Sequence, residues 1–388
     1  MPASTEPTLT PIVCFVTGAG GFIGRNLVTA LRRNEEVEVL SHLSNDTLVS
    51  LKEKLNRADV IYHLAGSNRP VDEMDFQRVN TGLTETIASH LKQRSRPVKL
   101  VFSSSIQATR GNAYGESKKG GEEALIQLAA ESPHSVAIYR LPNVFGKWSR
   151  PNYNTVVATF CHNVARDLPI TISNPDQELH LVYIDEVVRC FLRHISDSFQ
   201  SENFVNVDET HHITLGQLAE TIREFRDSRT NLKTPPVSEP LIKYLYTTYL
   251  SFLPRDKFAY DVQLRTDDRG WLFELAKSES FGQIFVSTTK PGITRGNHYH
   301  DTKVEKFCLV KGEGVIRFRD IESTDVIEYP VNDRQIQIVD IPPGFTHSIE
   351  NTGEVEMIVL FWANEVFDPQ QPDTYWVPVL KNSPDTRL

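Results

Sequence analysis

The chain has 388 residues, enough for two compact domains that each bury a core of their own. Charged residues make up 23% and hydrophobic residues 39%, which excludes a disordered or membrane-embedded protein. A formal net charge of -9 with no basic stripe argues against nucleic acid as a partner, although local donors can still hold an anionic small ligand.

The opening stretch MPASTEPTLT has neither an apolar period nor the basic start and apolar core of a secretion signal, so residues 1–10 are expected to be a flexible tail. No apolar run approaches the roughly 18 residues that span a bilayer, and a cytoplasmic protein without a membrane partner is expected. The four cysteines, Cys14, Cys161, Cys190 and Cys308, are scattered through apolar stretches and read as reduced, buried thiols. From Ile12 to about Arg140, short β-rich runs (IVCFVT, VEVLS, ADVIYHLAG, VKLVFSSS, SVAIYRL) alternate with helical stretches. That rhythm predicts an α/β, Rossmann-like, doubly wound parallel sheet.

Gly18, Gly21 and Gly24 sit between the first strand and an amphipathic helix, in TGAGGFIGR. Glycines so spaced let the backbone turn sharply, approach a pyrophosphate and aim helix N-terminal amides at it. Further on, Tyr114 and Lys118 are one helical turn apart and share a face, where an ammonium would lower the phenol's pKa and could also hold a ribose. Ser103, Ser104 and Ser105 end the strand VKLVF at the sheet edge where such folds bind ligands, so one of these hydroxyls can polarise a carbonyl. From Asn143 to about Arg229 the pattern is mixed, as expected of an added substrate lobe.

TPPVSEP and the aromatic segment after it mark a change of architecture between Thr234 and Asp261. The domains are therefore expected at 11–253 and 254–388. Beyond Trp271 the apolar period becomes two, in short strands separated by Gly, Pro and Asn turns, which predicts an all-β barrel or sandwich. In an extended strand His298 and His300 point to one side, and Glu305 and His347 on other strands can complete a shell of three nitrogens and one oxygen around a divalent metal. Zinc is the first expectation, with iron, manganese and nickel chemically admissible.

The first domain resembles the extended short-chain dehydrogenase/reductase superfamily, through the glycine loop, Leu64-Ala65-Gly66, Asn80, YGESK, Arg140-Leu-Pro-Asn143-Val-Phe-Gly146 and Tyr183-Ile-Asp185-Glu186. The resemblance implies a catalytic set of Ser105, Tyr114 and Lys118, with Ser104 competing for the serine role. It also implies a nicotinamide coenzyme held by Gly18, Gly21, Phe22, Ile23, Gly24, Arg25, Leu64, Ala65, Gly66, Tyr114 and Lys118. Ser41 and His42 stand where NAD-preferring members place an acid, and Arg25 follows the last glycine, so NADPH is expected over NADH. The serine lies unusually close in sequence to the tyrosine.

The second domain resembles the cupins (jelly-roll barrels), with Gly312 and Asn351 matching alongside the four ligands and Ile336 standing where a glycine is usual. Taken whole, the chain resembles a bacterial family of fused reductase–cupin enzymes of capsule and lipopolysaccharide synthesis, in the UDP-N-acetyl-L-fucosamine pathway. That resemblance implies C3 epimerisation of UDP-2-acetamido-2,6-dideoxy-4-hexulose by the cupin, then NADPH-dependent C4 reduction by the first domain. Such folds commonly pair, so a homodimer is expected. Tyr299 and Asp340 are candidates for the proton-abstracting base. Two rival readings are an NAD-retaining 4-epimerase or dehydratase, and a reductase whose cupin is purely structural and dimerising. Ile106 and Gln107, following Ser105, argue against dehydration, because dehydratases of the superfamily place an acidic pair there.

Overall fold

The computed structural model describes residues 10–68, 72, 74–153, 155–196 and 202–380. The tail expected over residues 1–10 falls, apart from Thr10, outside the described residues. Two compact units emerge, one from residues up to 223 with 244–254, the other from 224–243 with 255 onward.

In the first unit the strands are β1 (Ile12–Thr17), β2 (Val37–His42), β3 (Val60–His63), β4 (Lys99–Ser105), β5 (Ser135–Leu141), β6 (Asn143–Phe145), β7 (Glu178–Tyr183), β8 (Glu202–Val205) and β9 (His211–Thr214). A parallel sheet runs β2-β1-β3-β4-β5-β8, and a small sheet β6-β7-β9 lies apart from it. Strand order reverses between β1 and β3, and at such a switch point the carboxyl ends of the strands leave a crevice for ligand. Helices α1 (Phe22–Leu31), α2 (Leu48–Arg57), the short α3 (Met74–Phe76), α4 (Leu83–Leu91), α5 (Ala113–Glu131), α6 (Val156–Val164) and α7 (Ile184–Ser196) connect the strands. Phe15, Ile61, Leu100, Phe102 and Ile138 of the sheet pack against Leu51, Leu55, Ile87, Leu91, Leu125 and Leu128 of the helices. Each such buried side chain contributes about 1.5–3 kcal/mol.

The second unit is all-β: β10 (Arg265–Asp267), β11 (Gly270–Ser278), β12 (Gly282–Thr289), β13 (Thr294–Tyr299), β14 (Glu305–Lys311), β15 (Glu313–Asp320), β16 (Val326–Asn332), β17 (Ile338–Ile341), β18 (Phe345–Asn351), β19 (Met357–Ala363) and β20 (Tyr375–Trp376). They form two antiparallel sheets, β10-β11-β12-β19-β14-β17 and β16-β15-β18-β13-β20, as the cupin expectation requires. Phe307, Leu309, Ile316, Phe318, Ile341, Ile349, Val359 and Phe361 fill the space between them. Ile336, standing in for the usual glycine, is exposed, and the turn is closed instead by Asn332, whose Oδ1 accepts the Arg334 and Gln335 amides at 3.0 and 3.2 Å. Three cysteines are buried as expected, whereas Cys308 is half-buried because it lies on the outward side of β14.

Candidate active sites: a coenzyme cleft and a metal cluster

In the first unit, Gly18 adopts φ +67° and a Cβ there would meet the Ala65 amide nitrogen at 2.7 Å; at Gly24 it would meet the Gly18 carbonyl oxygen at 2.1 Å. Only glycine permits this turn. Gly21 precedes α1 and no side chain caps the helix, so its first amides are available to an anion. The loop opens on a cleft of about 820 Å³ lined by Gly18, Gly21, Phe22, Ile23, Gly24, Arg25, Leu64, Gly66, Ser105, Tyr114 and Lys118. Ala65 acts through its backbone against Gly18, outside the cleft lining.

Helix α5 carries Tyr114 and Lys118 to this cleft. Its start is fixed by Asn112, whose side chain accepts the Gly115 amide at 2.8 Å, a cap worth about 1 kcal/mol. A Cβ on Gly115 would sit 2.1 Å from the Gln107 carbonyl oxygen, so glycine lets α5 begin directly on the turn Ile106–Thr109. That close approach accommodates the short sequence between the serines and the tyrosine. On β4, both serines line the cleft: Ser104 is held by donating to Glu122 at 2.5 Å, whereas Ser105 acts on the Tyr114 phenol. Glu122, almost fully buried, also takes a two-pronged ion pair from Arg140, at 3.0 Å from Nε and 2.6 Å from Nη2.

Lys118 is buried, and its Nζ donates to the Ser103 carbonyl at 2.8 Å. Burial lowers its pKa to about 8, with Glu122 pulling the other way. Tyr114 departs from the expectation that an ammonium lowers its pKa. Burial pushes the phenol up, the Ser105 hydrogen bond partly offsets this, and the lysine is turned onto a backbone carbonyl. Asn80 clips the loop at Ser67 to α5: its amide group accepts the Ser67 amide at 2.8 Å and donates to the Ser117 hydroxyl at 2.9 Å. Beneath the loop, buried His63 bridges Thr17 and Thr84 at 2.8 and 2.9 Å and is kept neutral, its pKa lowered to about 3 by burial and by Lys118.

Among the lining residues that went unnoticed in the sequence are Trp148, Arg150 and Tyr153, with the Arg150 guanidinium 4.6 Å from the Tyr153 ring. Arg25 lies 5.1 Å over the Trp148 ring. After β2, Lys54 engages both the Ser41 carbonyl and Asp46 at 2.8 Å, so the acid that follows this strand is already neutralised.

In the second unit, His298, His300, Glu305 and His347 come together, one ligand atom from each lying within 4.8 Å of the others. His298 faces His347 across β13 and β18. Gly296 (φ +99°), where a Cβ would be 2.7 Å from the His347 carbonyl oxygen, allows the strands to approach there. Glu305 Oε2 lies 3.3 Å from His300 Nε2 and 3.4 Å from His347 Nε2. Both of these nitrogens are buried and lack a hydrogen-bond partner. Burial first, then its neighbour His347, lowers the His298 pKa to about 3, and burial raises the Glu305 carboxyl less than His300 and His347 lower it. Three imidazoles around a carboxylate, with the orphaned Nε2 atoms of His300 and His347 buried beside it, fit a divalent metal.

Neither base candidate stands up well to this geometry. Asp340 is exposed on the outer face of β17, opposite Lys306 and ion-paired with it. The two-residue period puts Tyr299 on the face opposite His298, where its ring lies 5.1 Å from that of Tyr375, tilted by 30°.

Residues 14–207 match the NAD dependent epimerase/dehydratase family and residues 265–375 the polysaccharide biosynthesis C-terminal domain. Over 360 residues, 93% of this chain and 97% of the relative, the sequence is 45% identical to UDP-2-acetamido-2,6-beta-L-arabino-hexul-4-ose reductase of Pseudomonas aeruginosa. The chain belongs to that family of fused sugar-nucleotide reductases. A crystal structure of the capsular polysaccharide assembling protein CapF from Staphylococcus aureus superposes with a TM-score of 0.88 at 41% identity, covering 94% of this chain and all of that one. The family members are nicotinamide-dependent reductases with an epimerase activity, and both units of this chain belong to their architecture. UDP-glucuronic acid 4-epimerase from Bacillus cereus, 18% identical over 55% of this chain and 84% of its own, shares the fold of the first unit with a TM-score of 0.51. No helix among the described residues is long and apolar enough to cross a membrane.

Proposed function

We propose that this enzyme takes UDP-2-acetamido-2,6-dideoxy-4-hexulose, inverts C3 in the cupin domain and then reduces C4 in the short-chain reductase domain, towards UDP-N-acetyl-L-fucosamine and surface polysaccharide. The division of labour follows a boundary near residues 253 and 254, with residues 224–243 grouped with the second unit. The observation that carries the reading is the presence, in one chain, of a Ser105–Tyr114–Lys118 constellation on a coenzyme cleft and of a buried His298–His300–Glu305–His347 cluster. The identity to a reductase named for a UDP-linked hexul-4-ose supports the substrate class.

The order follows from acidity. A C3 proton beside a C4 ketone is removable because the resulting enolate can be stabilised, and reduction of the ketone abolishes that acidity. Epimerisation therefore comes first, and reduction locks the new configuration. A divalent metal, zinc in the first instance, would be held by the four ligands and supplies Lewis acidity when bound. NADPH, when bound, supplies the hydride that C4 accepts. Gly18, Gly21 and the first amides of α1 would hold its pyrophosphate, and Lys118 its ribose. Ser105 donates to the C4 carbonyl oxygen, and Tyr114 gives that oxygen its proton as the hydride arrives. Arg25 at the cleft and the neutralised Asp46 support NADPH over NADH.

The reading includes a cytoplasmic homodimer. Val286, Leu360, Cys308 and Ile338 lie in one register row on the outward face of β12, β19, β14 and β17, with Leu360 36% and Ile338 66% exposed. An apolar row of this kind is suited to a second copy of the chain.

Incubation with the 4-keto sugar nucleotide and NADPH tests the reading. One NADPH oxidised per product molecule is the expected result; turnover without net oxidation, as when a retained coenzyme takes hydride and returns it, would overturn it.

A further inference from the structure

The second unit holds a contact set that the ligand shell alone does not require. Asp373 lies about 70 residues beyond His300 in the chain, yet its backbone carbonyl accepts the His300 Nδ1 proton at 2.5 Å. Its carboxylate accepts the amides of Asp301, Thr302 and Lys303 at 2.9, 2.9 and 2.8 Å, and the Thr302 hydroxyl at 3.1 Å. These three residues form the turn that joins His300 to Glu305. The buried Lys303 ammonium ties the same segments together from the other side, donating to the Pro372 carbonyl and the Thr374 hydroxyl at 3.0 Å each.

We propose that Asp373 is a positioning residue of the metal centre, which fixes the tautomer of His300 and the span of the turn to Glu305. The inference rests on the reading that the four clustered residues hold a metal. A carbonyl can only accept, so the imidazole nitrogen facing it carries the proton, and the lone pair is left on Nε2. That is the nitrogen 3.3 Å from Glu305. Partners of this type typically govern metal affinity by about 10–100-fold. Asp373 also adopts φ +39°, a region that disfavours side chains, and the hydrogen bonds it collects offset that cost.

The backbone conformation makes the test selective. Were Asp373 only a turn residue, Asp373→Gly would relieve its strained φ and leave the metal alone. As a positioning residue, its loss frees the turn. Zinc affinity of the full-length protein is measured by competition with a chromophoric chelator, and the protonated nitrogen of His300 is read in the zinc-free protein by imidazole nitrogen NMR. The expected result for Asp373→Gly is a loss of zinc affinity of about 10-fold or more, with His300 passing from a single Nδ1-protonated form to a mixture. A smaller loss with an unmixed tautomer would overturn the proposal. If the glycine variant does not fold, Asp373→Asn, which keeps the shape and weakens the acceptor, is held to the same two criteria. Failure of the wild-type protein to bind zinc, cobalt or manganese would instead overturn the four-ligand reading beneath it.

Discussion

Ser104 donates to the buried Glu122 at 2.5 Å, while Ser105, next on the strand, acts on the Tyr114 phenol and lowers its pKa. Their partners thus distinguish two serines that composition cannot tell apart. Ser105→Ala is expected to lower kcat for reduction about 100-fold, as loss of one carbonyl-polarising donor does. Ser104→Ala is expected to leave kcat nearly unchanged and to cost about 1–3 kcal/mol of stability, because buried Glu122 loses a donor. Steady-state kinetics and urea melts of the pair check both.

Tyr114→Phe separates the two chemistries. Without the phenolic proton, C4 reduction is expected to fall by about 100-fold to 10,000-fold. Exchange of the C3 proton with solvent deuterium should persist, since the cluster around His347 is untouched. Loss of both activities together would argue that one centre performs both steps.

The lysine gives a signed pH dependence. Its folded pKa, lowered to about 8 by burial from 10.5, means that the ammonium that holds the ribose is lost as pH rises through about 8. The coenzyme's kcat/KM should therefore decline above that point, and Lys118→Met should abolish the dependence together with most of the activity. Stability moves the other way. The folded state binds the proton less tightly than the unfolded chain, so this residue's contribution to stability increases with pH between about 8 and 10.5.

Removing the metal is expected to act on one activity more than the other. A strong chelator should lower the thermal midpoint of the barrel and suppress C3 exchange, and zinc should restore both. Reduction of a substrate already carrying the inverted C3 should survive. Glu305→Gln and His347→Ala should each reduce bound metal below one ion per chain, measured by elemental analysis.

Much of this was legible in the sequence for identifiable reasons. Glycine spacing reports backbone approach, and at Gly18 and Gly24 the distances to Ala65 and to the Gly18 carbonyl leave no room for a side chain. The two-residue period reports which strand residues share a face, and so grouped His298 with His300; the pairing of β13 with β18 adds His347. What escaped depends on contacts between segments far apart in the chain. Nothing near Asp373 marks it as the partner of His300, and Asp340 misled because its residue type suits a base although its strand turns it outward to Lys306. Glu122 follows Lys118 by one helical turn and could have been found from that spacing; Trp148 and Arg150, in an irregular stretch, carried no periodic signal.

On the proposed function, one keto sugar is first inverted at C3 and then quenched by hydride at C4. The most direct test is turnover of the UDP-linked 4-keto-6-deoxy-N-acetyl sugar with NADPH in heavy water, with the product read by NMR. The expected result is one deuterium at C3, inverted configuration there, and one equivalent of NADPH consumed. A reduced product that keeps its original C3 proton and configuration would contradict it.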